Sequence, residues 1–157
     1  MKKFFLVFAL FTVALVQISY AQDPTKNQPS PLLTSYYHLK DALVNGNTEI
    51  AAANASEFIK TLYDVDNKTL KEQSRKSLLN DAVIISQTKD ITQQRQKFAS
   101  LSDKMVELAK KVKLTDDPVY QQYCPMKKAS WLSPDKAIKN PYYGNMMLTC
   151  GSVKTTL

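Results

Sequence analysis

Both cysteines of this 157-residue chain lie in a short C-terminal segment that also holds three of its five methionines. Cys124-Pro-Met126 places a thiol and a thioether two residues apart. Further on, Met146-Met147-Leu-Thr-Cys150 places two thioethers and a thiol close together. Thiolate and thioether sulfurs are soft ligands that select Cu(I) over magnesium or calcium. The residue types therefore predict a soft-metal site formed by both cysteines and one or both of Met126 and Met146.

The same two cysteines also allow a disulfide, because thiols of exported proteins pair readily in an oxidising compartment. In the chain-entropy model, closing the loop between Cys124 and Cys150 stabilises the fold by roughly 3 to 4 kcal/mol. Gly144 and Gly151 permit the chain reversals that would bring the two thiols together. A disulfide sulfur offers no thiolate to a metal, so the two interpretations exclude each other. Chemistry alone favours the disulfide slightly and leaves both open.

The first 21 residues predict a signal peptide. Residues 2–3 are lysines, residues 4–16 form an apolar run too short to span a bilayer, and residues 19–21 match a cleavage site. Cleavage at about Ala21/Gln22 predicts a periplasmic or secreted protein with no membrane span. No cysteine stands near that point, so we expect no lipid anchor.

Removing residues 1–21 leaves 136 residues, which suffices for one hydrophobic core and is short for two. We therefore expect a linker over 22–30 and a single domain over 31–157, which includes the Cys/Met segment 118–151. The removal takes two lysines with it, so the formal net charge falls from +7 to +5. Because no basic patch is interleaved with aromatic residues, we expect no nucleic-acid partner.

Four amphipathic helices are predicted between Ser30 and Pro118. Ser30-Pro31 is typical of a helix start, and Asn45-Gly46 is typical of its end. The next helices are expected to begin near Asn47 or Thr48, within Asp66 to Thr69, and at Asp90. The residues that recur at helical spacing are Leu32, Tyr36, Leu39 and Leu43, then Ala51, Ala55, Phe58 and Leu62, then Leu70, Ser74, Leu78, Ala82 and Ile85, and finally Phe98, Leu101, Met105, Leu108 and Val112.

This pattern predicts an all-α fold. Four helices with short connections, only three glycines and no alternating strand pattern indicate an antiparallel up-down four-helix bundle. The irregular Cys/Met/Tyr/Pro-rich segment is expected to pack on that bundle. Met105 is predicted to belong to the core, since a methionine at helical spacing usually packs there.

Catalytic motifs are not found in the sequence, and we expect no enzymatic activity. The sole histidine, His38, stands beside charged residues on the first helix and is expected at the surface. The chain has no glycine-rich phosphate loop, no HExxH motif and no calcium loop. The carboxylate pairs Asp116-Asp117 and Asp64-x-Asp66 are typical of turns and caps.

Several strings of the sequence carry a family resemblance. In the C-terminal segment they are Tyr-x-Cys-Pro-Met, Trp-Leu-Ser, Ile-x-Asn-Pro-Tyr-Tyr-Gly and Met-Leu-x-Cys-Gly, and in the helices Tyr36-Tyr37-x-Leu-Lys-Asp-Ala-Leu and Gln94-Arg95-x-x-Phe98. They resemble an exported domain of unknown function that also occurs fused to the C-terminus of periplasmic adaptor subunits of copper and silver efflux systems. The similarity runs from Leu32 to Val153. The opening Tyr-x-Cys-Pro-Met is also similar to short heavy-metal-binding modules, although those continue with His-Pro where this chain has Lys127-Lys128.

The resemblance implies a ligand set of Cys124, Met126, Met147 and Cys150, with Met146 as an extra thioether outside the motif. It implies an exported protein of metal homeostasis that binds Cu(I) or another soft ion, for buffering or for hand-over to a periplasmic efflux adaptor or metallochaperone. The alternative is a structural or interaction module without metal. In that case a Cys124–Cys150 disulfide staples the tail, which presents Tyr142, Tyr143 and Trp131 to a partner.

Overall fold

The computed structural model describes residues 29–157, so the predicted signal peptide and most of the predicted linker lie outside the described residues. The described chain begins with four consecutive helices joined by short connections. The helices are α1 (Pro31–Val44), α2 (Thr48–Asp64), α3 (Glu72–Gln87) and α4 (Ile91–Ala109). Each helix packs on the next along the chain, which agrees with the predicted helical bundle.

Three of the four helices begin at the side-chain caps that the sequence predicts. The side chains of Ser30, Asn47 and Asp90 each accept a hydrogen bond from a first-turn amide, at 3.3, 3.0 and 2.8 Å. Helix α3 differs, because Lys71 precedes it without a side-chain cap. The carboxylate of Asp66 instead accepts bonds from the turn before α3, so the predicted start was a few residues early.

The bundle core contains most of the residues that were predicted at helical spacing. Met105 is fully buried, as expected, and packs with Phe98 and Leu101 from the same helix. In the first turn of α3, Arg75 is buried, whereas Ser74, which was predicted to face the core, is exposed. The Arg75 guanidinium donates to the backbone carbonyl of Val65 at 2.7 Å, which satisfies a buried cation where the chain enters α3.

The prediction of an all-α fold was wrong, because the C-terminal segment contains a three-stranded antiparallel sheet. Its strands are β1 (Tyr120–Cys124), β2 (Ala129–Ser133) and β3 (Ser152–Thr156), arranged in the order β2-β1-β3. The sequence hides these strands because each has five residues and none alternates apolar with polar residues over its length. All five residues of β3 are exposed, so its sequence shows no pattern of buried apolar residues.

The sheet is joined to the bundle by a continuous series of aromatic rings. Tyr36 of α1 stacks on Phe98 of α4, with ring centroids 5.4 Å apart. Phe98 contacts Tyr142 of the C-terminal segment, which meets Trp131 of β2 edge-on at 5.8 Å. Trp131 and Tyr142 are both buried, so the C-terminal segment belongs to the same core as the helices.

Within residues 29–157, no helix combines the length with the hydrophobicity that crossing a membrane would require.

Candidate functional site

The two cysteines meet because strand β2 leads away from Cys124 and the irregular loop after β2 brings the chain back to the same end of the sheet. Cys124 is the last residue of β1, and Cys150 stands two residues before β3. Strand β3 pairs antiparallel with β1, with Tyr123 opposite Ser152. The return strand β2 occupies the other side of β1, with Ala129 opposite Cys124. The strand order therefore places both cysteines at one corner of the sheet.

At this corner the Sγ atoms of Cys124 and Cys150 lie 3.8 Å apart. A disulfide bond is about 2.05 Å long, so both cysteines are free thiols in this structure. Cys124 is completely buried, whereas Cys150 is half-buried. The sequence prediction that the segment brings its two thiols together agrees with this geometry.

The turn between β1 and β2 passes directly over the sulfur pair. The backbone N–H of Lys127 donates to the Sγ atom of Cys124 at 3.4 Å. Lys128 ends the turn with a φ of +55°, in the left-handed region, which lets the chain reverse within four residues. Amide hydrogen bonds of this kind tune sulfur atoms that bind a metal.

The pKa of the Cys150 thiol is raised above its ordinary value. Desolvation is the largest cause, followed by the neighbouring thiol of Cys124. The backbone amide of Met126 acts in the opposite direction. Without a cation, Cys150 is therefore held as a neutral thiol around neutral pH.

The methionines of the predicted ligand set differ in exposure. Met126 lies in the turn over the sulfur pair and is 63% exposed, and Met146 is 76% exposed. Met147 is half-buried, and its backbone carbonyl accepts a bond from the Cys150 amide at 3.0 Å. The structure thus places Met126 and Met147 beside the cysteines along the chain and leaves Met146 on the surface of a short 3-10 helix, Gly144–Met146.

Gly151 gives the backbone the room to pass beside Trp131. A Cβ atom at this position would lie 2.9 Å from the Trp131 ring and 2.9 Å from the carbonyl oxygen of Tyr123. Any larger residue would push the chain away from the sheet next to Cys150. The glycine is therefore part of the framework that sets the position of the second sulfur.

Histidine and carboxylate ligands do not accompany the sulfur pair. Among residues 29–157, no three side chains of His, Cys, Asp or Glu converge on one point. His38 is exposed on α1, in a shallow pocket with Asp41 and Asn54. The described donors at the corner are thus the two thiols and the neighbouring thioethers.

The C-terminal part of the chain, which holds the sulfur pair, is strongly basic. Residues 118–157 contain five lysines and a single acidic residue, Asp135, which gives this quarter of the chain a formal charge of +4. All five lysines are exposed; they are Lys127, Lys128, Lys136, Lys139 and Lys154. Lys154 lies over the Tyr123 ring at 4.8 Å. More than half of the chain's formal charge of +7 therefore lies in the C-terminal part that holds the candidate site, an asymmetry that the sequence-based prediction missed.

A buried asparagine was also missed at the sequence level. The side-chain amide of Asn140 donates to the backbone carbonyl of Cys150 at 2.7 Å. The available signal was the Asn-Pro dipeptide followed by two tyrosines, which is typical of a turn in which asparagine bonds to nearby backbone.

Comparison with known proteins gives one match. A family model described as protein of unknown function (DUF3347) matches residues 32–117, more than half of the chain. The match covers the four helices and ends before β1, so it does not include the sulfur pair. No curated protein and no solved structure matches the chain.

Proposed function

The chain belongs to the family of proteins of unknown function DUF3347, and from this premise we propose that it binds a soft metal ion, Cu(I), through Cys124 and Cys150. The ion is cargo that the protein buffers or passes on. In this proposed role the protein makes or breaks no bond of a substrate and does not act as an enzyme.

The observation that carries the proposal is the 3.8 Å separation of the two sulfurs. Two metal–sulfur bonds of about 2.3 Å that meet at a tetrahedral angle span about 3.8 Å, so a metal ion could bridge this pair with little movement. Soft thiolates without a carboxylate or imidazole nearby favour Cu(I) over harder ions. The donor set at the corner therefore fits the proposed cargo.

Thioethers would complete the coordination. Met126 and Met147 are the proposed additional ligands, and the exposed Met146 is a further donor at the surface. A thioether carries no proton, so it still binds where acid protonates thiols. The exposure of Met126 leaves its side chain free to rotate towards an ion held by the two cysteines.

The turn residues support an anionic metal–thiolate group. A Cu(I) ion bound by two thiolates carries a net charge of −1, and the Lys127 amide donates directly to one of these sulfurs. The side chains of Lys127 and Lys128 add positive charge on the same turn. The heavy-metal-binding modules have His-Pro where this chain has Lys127-Lys128. The lysine pair is nevertheless compatible with a site in which two thiolates bind the ion.

Transfer of the ion requires a partner, and the basic surface indicates its chemistry. The exposed Lys127 and Lys128 of the turn after Cys124, within a C-terminal part of formal charge +4, would attract a protein with an acidic docking face. A periplasmic efflux adaptor or a metallochaperone is the proposed recipient, on the assumption that residues 1–21 direct export. Stepwise exchange of sulfur ligands would then pass the ion across the contact.

The alternative, a stapled interaction module, draws support from the same sulfur separation, because oxidation could join the two thiols after a small movement. Its predicted contact surface fits less well. Trp131 and Tyr142 are buried in the core, and only Tyr143 of the three predicted aromatic residues is partly exposed. Trp131 and Tyr142 hold the sheet on the bundle and could not reach a partner.

Anaerobic titration with Cu(I) against a competing chelator tests the proposal. The reduced protein should bind one equivalent of Cu(I) tightly. Cys124→Ser or Cys150→Ser should lower the affinity at least 100-fold, because loss of a residue that only supports a metal ligand already costs up to about 100-fold. Met105→Leu, a conservative change in the helical core, is the control and should bind normally. Unchanged affinity in both serine variants would refute the proposal.

A further inference from the structure

Asn140 makes an unusual number of hydrogen bonds for one residue of an irregular loop. Its side-chain oxygen accepts from the amides of Tyr142 and Tyr143 at 2.8 and 3.3 Å. Its backbone N–H donates to Leu148 at 2.8 Å, and its side-chain NH₂ donates to the carbonyl of Cys150 at 2.7 Å. The residue is completely buried, so water does not compete for these bonds.

These bonds close the loop from residue 140 to residue 150 at both ends. The side-chain oxygen of Asn140 holds the start of the loop, while its NH₂ group holds the end. The amide of Cys150 bonds to Met147, which belongs to the same loop. The bond from Asn140 is therefore the side-chain hydrogen bond that ties the Cys150 backbone to the first residue of the loop.

We propose that Asn140 is the positioning residue of the sulfur pair. Its carboxamide fixes the Cys150 backbone, and this keeps the Cys150 sulfur 3.8 Å from the Cys124 sulfur. The role concerns the proximity of two thiols and holds whichever ion they bind. It rests on the proposed function only in that the thiol pair is taken to be the working site.

The proximity of two thiols is measured by their exchange with glutathione. The reaction is two protein thiols plus glutathione disulfide giving a protein disulfide plus two glutathione thiols, so atoms and electrons balance. Its equilibrium constant reports the effective concentration of one cysteine at the other. Alkylation of the remaining thiols followed by mass spectrometry gives the oxidised fraction at each glutathione ratio.

Asn140→Asp is the most selective variant. The aspartate keeps an oxygen acceptor for Tyr142 and Tyr143 but places a second oxygen against the Cys150 carbonyl, where the NH₂ group had donated. We expect the effective concentration of the thiol pair to fall at least tenfold. Asn140→Ser introduces a smaller, uncharged side chain and serves as the second variant in case the aspartate variant folds poorly. It should also lower the effective concentration of the thiol pair.

Gln94→Glu provides the matched control. Gln94 is likewise completely buried, and its side-chain NH₂ donates to the carbonyls of Thr48 and Thr88 in the helical bundle. Exchanging its amide for a carboxyl should destabilise the fold in a similar way, away from the sheet. In Gln94→Glu, we expect the effective concentration of one cysteine at the other to remain within twofold of the value in the parent protein. All variants are compared under conditions in which each of them is folded.

Two results would overturn the inference. One is an unchanged glutathione equilibrium in both Asn140 variants, and the other is an equal fall in Gln94→Glu. The measurement needs no metal, so it separates this inference from the proposed function. If Asn140→Asp shifts the thiol equilibrium while the parent protein binds no Cu(I), the positioning role stands and the copper proposal fails.

Discussion

The amide of Leu132 in β2 donates a hydrogen bond to the phenol oxygen of Tyr36 in α1, at 3.0 Å. The same oxygen lies 2.8 Å from the Ser102 hydroxyl of α4. Strand β2 is an edge of the sheet, so its outward amide would otherwise be buried without a partner. One phenol thus joins the first helix, the last helix and the sheet.

Tyr36→Phe should destabilise the protein by about 1–3 kcal/mol, because it leaves the Leu132 amide buried and unpaired and removes the hydrogen bond to Ser102. Urea denaturation followed by circular dichroism measures the loss. Tyr63→Phe is the control, since Tyr63 is 67% exposed on α2 and should change stability by less than about 0.5 kcal/mol. Equal effects in the two variants would show that the Tyr36 hydroxyl does not hold the sheet.

Oxidation of the thiol pair should raise stability and abolish metal binding. A disulfide between Cys124 and Cys150 closes a long loop in the unfolded chain, which is expected to add about 3 to 4 kcal/mol. Denaturation of the oxidised and the reduced protein compares the two states, and the copper titration is repeated on each. Cys150→Ser should respond to neither oxidant nor reductant. Tight Cu(I) binding by the fully oxidised protein would contradict the thiolate site.

Copper affinity should increase with pH across the neutral range. Burial and the Cys124 thiol raise the pKa of Cys150, so its thiol is protonated there and the ion must displace the proton. Each proton released contributes roughly a tenfold gain in apparent affinity per pH unit, up to the raised pKa. Competition with a chelator whose own protonation is known, between about pH 6 and pH 8, gives the slope. A flat profile would indicate that thioethers alone bind the ion.

Gly151→Ala should destabilise the sheet by more than Gly46→Ala. A methyl group at residue 151 would meet the Trp131 ring and the Tyr123 carbonyl, at a cost of about 1–3 kcal/mol beyond the backbone strain. Gly46 also has a positive φ but nothing within 4 Å of its added Cβ, so it reports the backbone penalty of about 1–2 kcal/mol alone. Urea midpoints compare the two variants, and equal losses would exclude the steric account.

The helical half of the molecule could be predicted from the sequence because its signals are local. Ser30, Asn47 and Asp90 cap their helices as expected, and buried residues repeat at helical spacing between these caps. The start of α3 was misplaced because Asp66 makes its capping bonds in the preceding turn. Local polar residues favour several similar turns, and packing selects one.

The sheet could not be predicted, because its signals are not local. Strand β1 reads Tyr-Gln-Gln-Tyr-Cys, and its Gln122 is buried because the side chain bonds to backbone carbonyls of residues 135–137. A polar residue with such partners gives no hydrophobic mark in the sequence. Residue types indicated that the sulfurs could meet, whereas the part played by Asn140 depends on contacts ten residues apart.

The unequal burial of the two cysteines sets an order of events at the corner. Cys124 is covered completely, while Cys150 is partly open to solvent. The sulfur of Cys150 is therefore the first to meet any incoming reagent that is larger than water. Such a reagent could be an alkylating agent, a small disulfide or a protein that donates the metal. Any mixed intermediate forms on Cys150, and Cys124 acts second, from inside the protein, to complete or reverse the exchange.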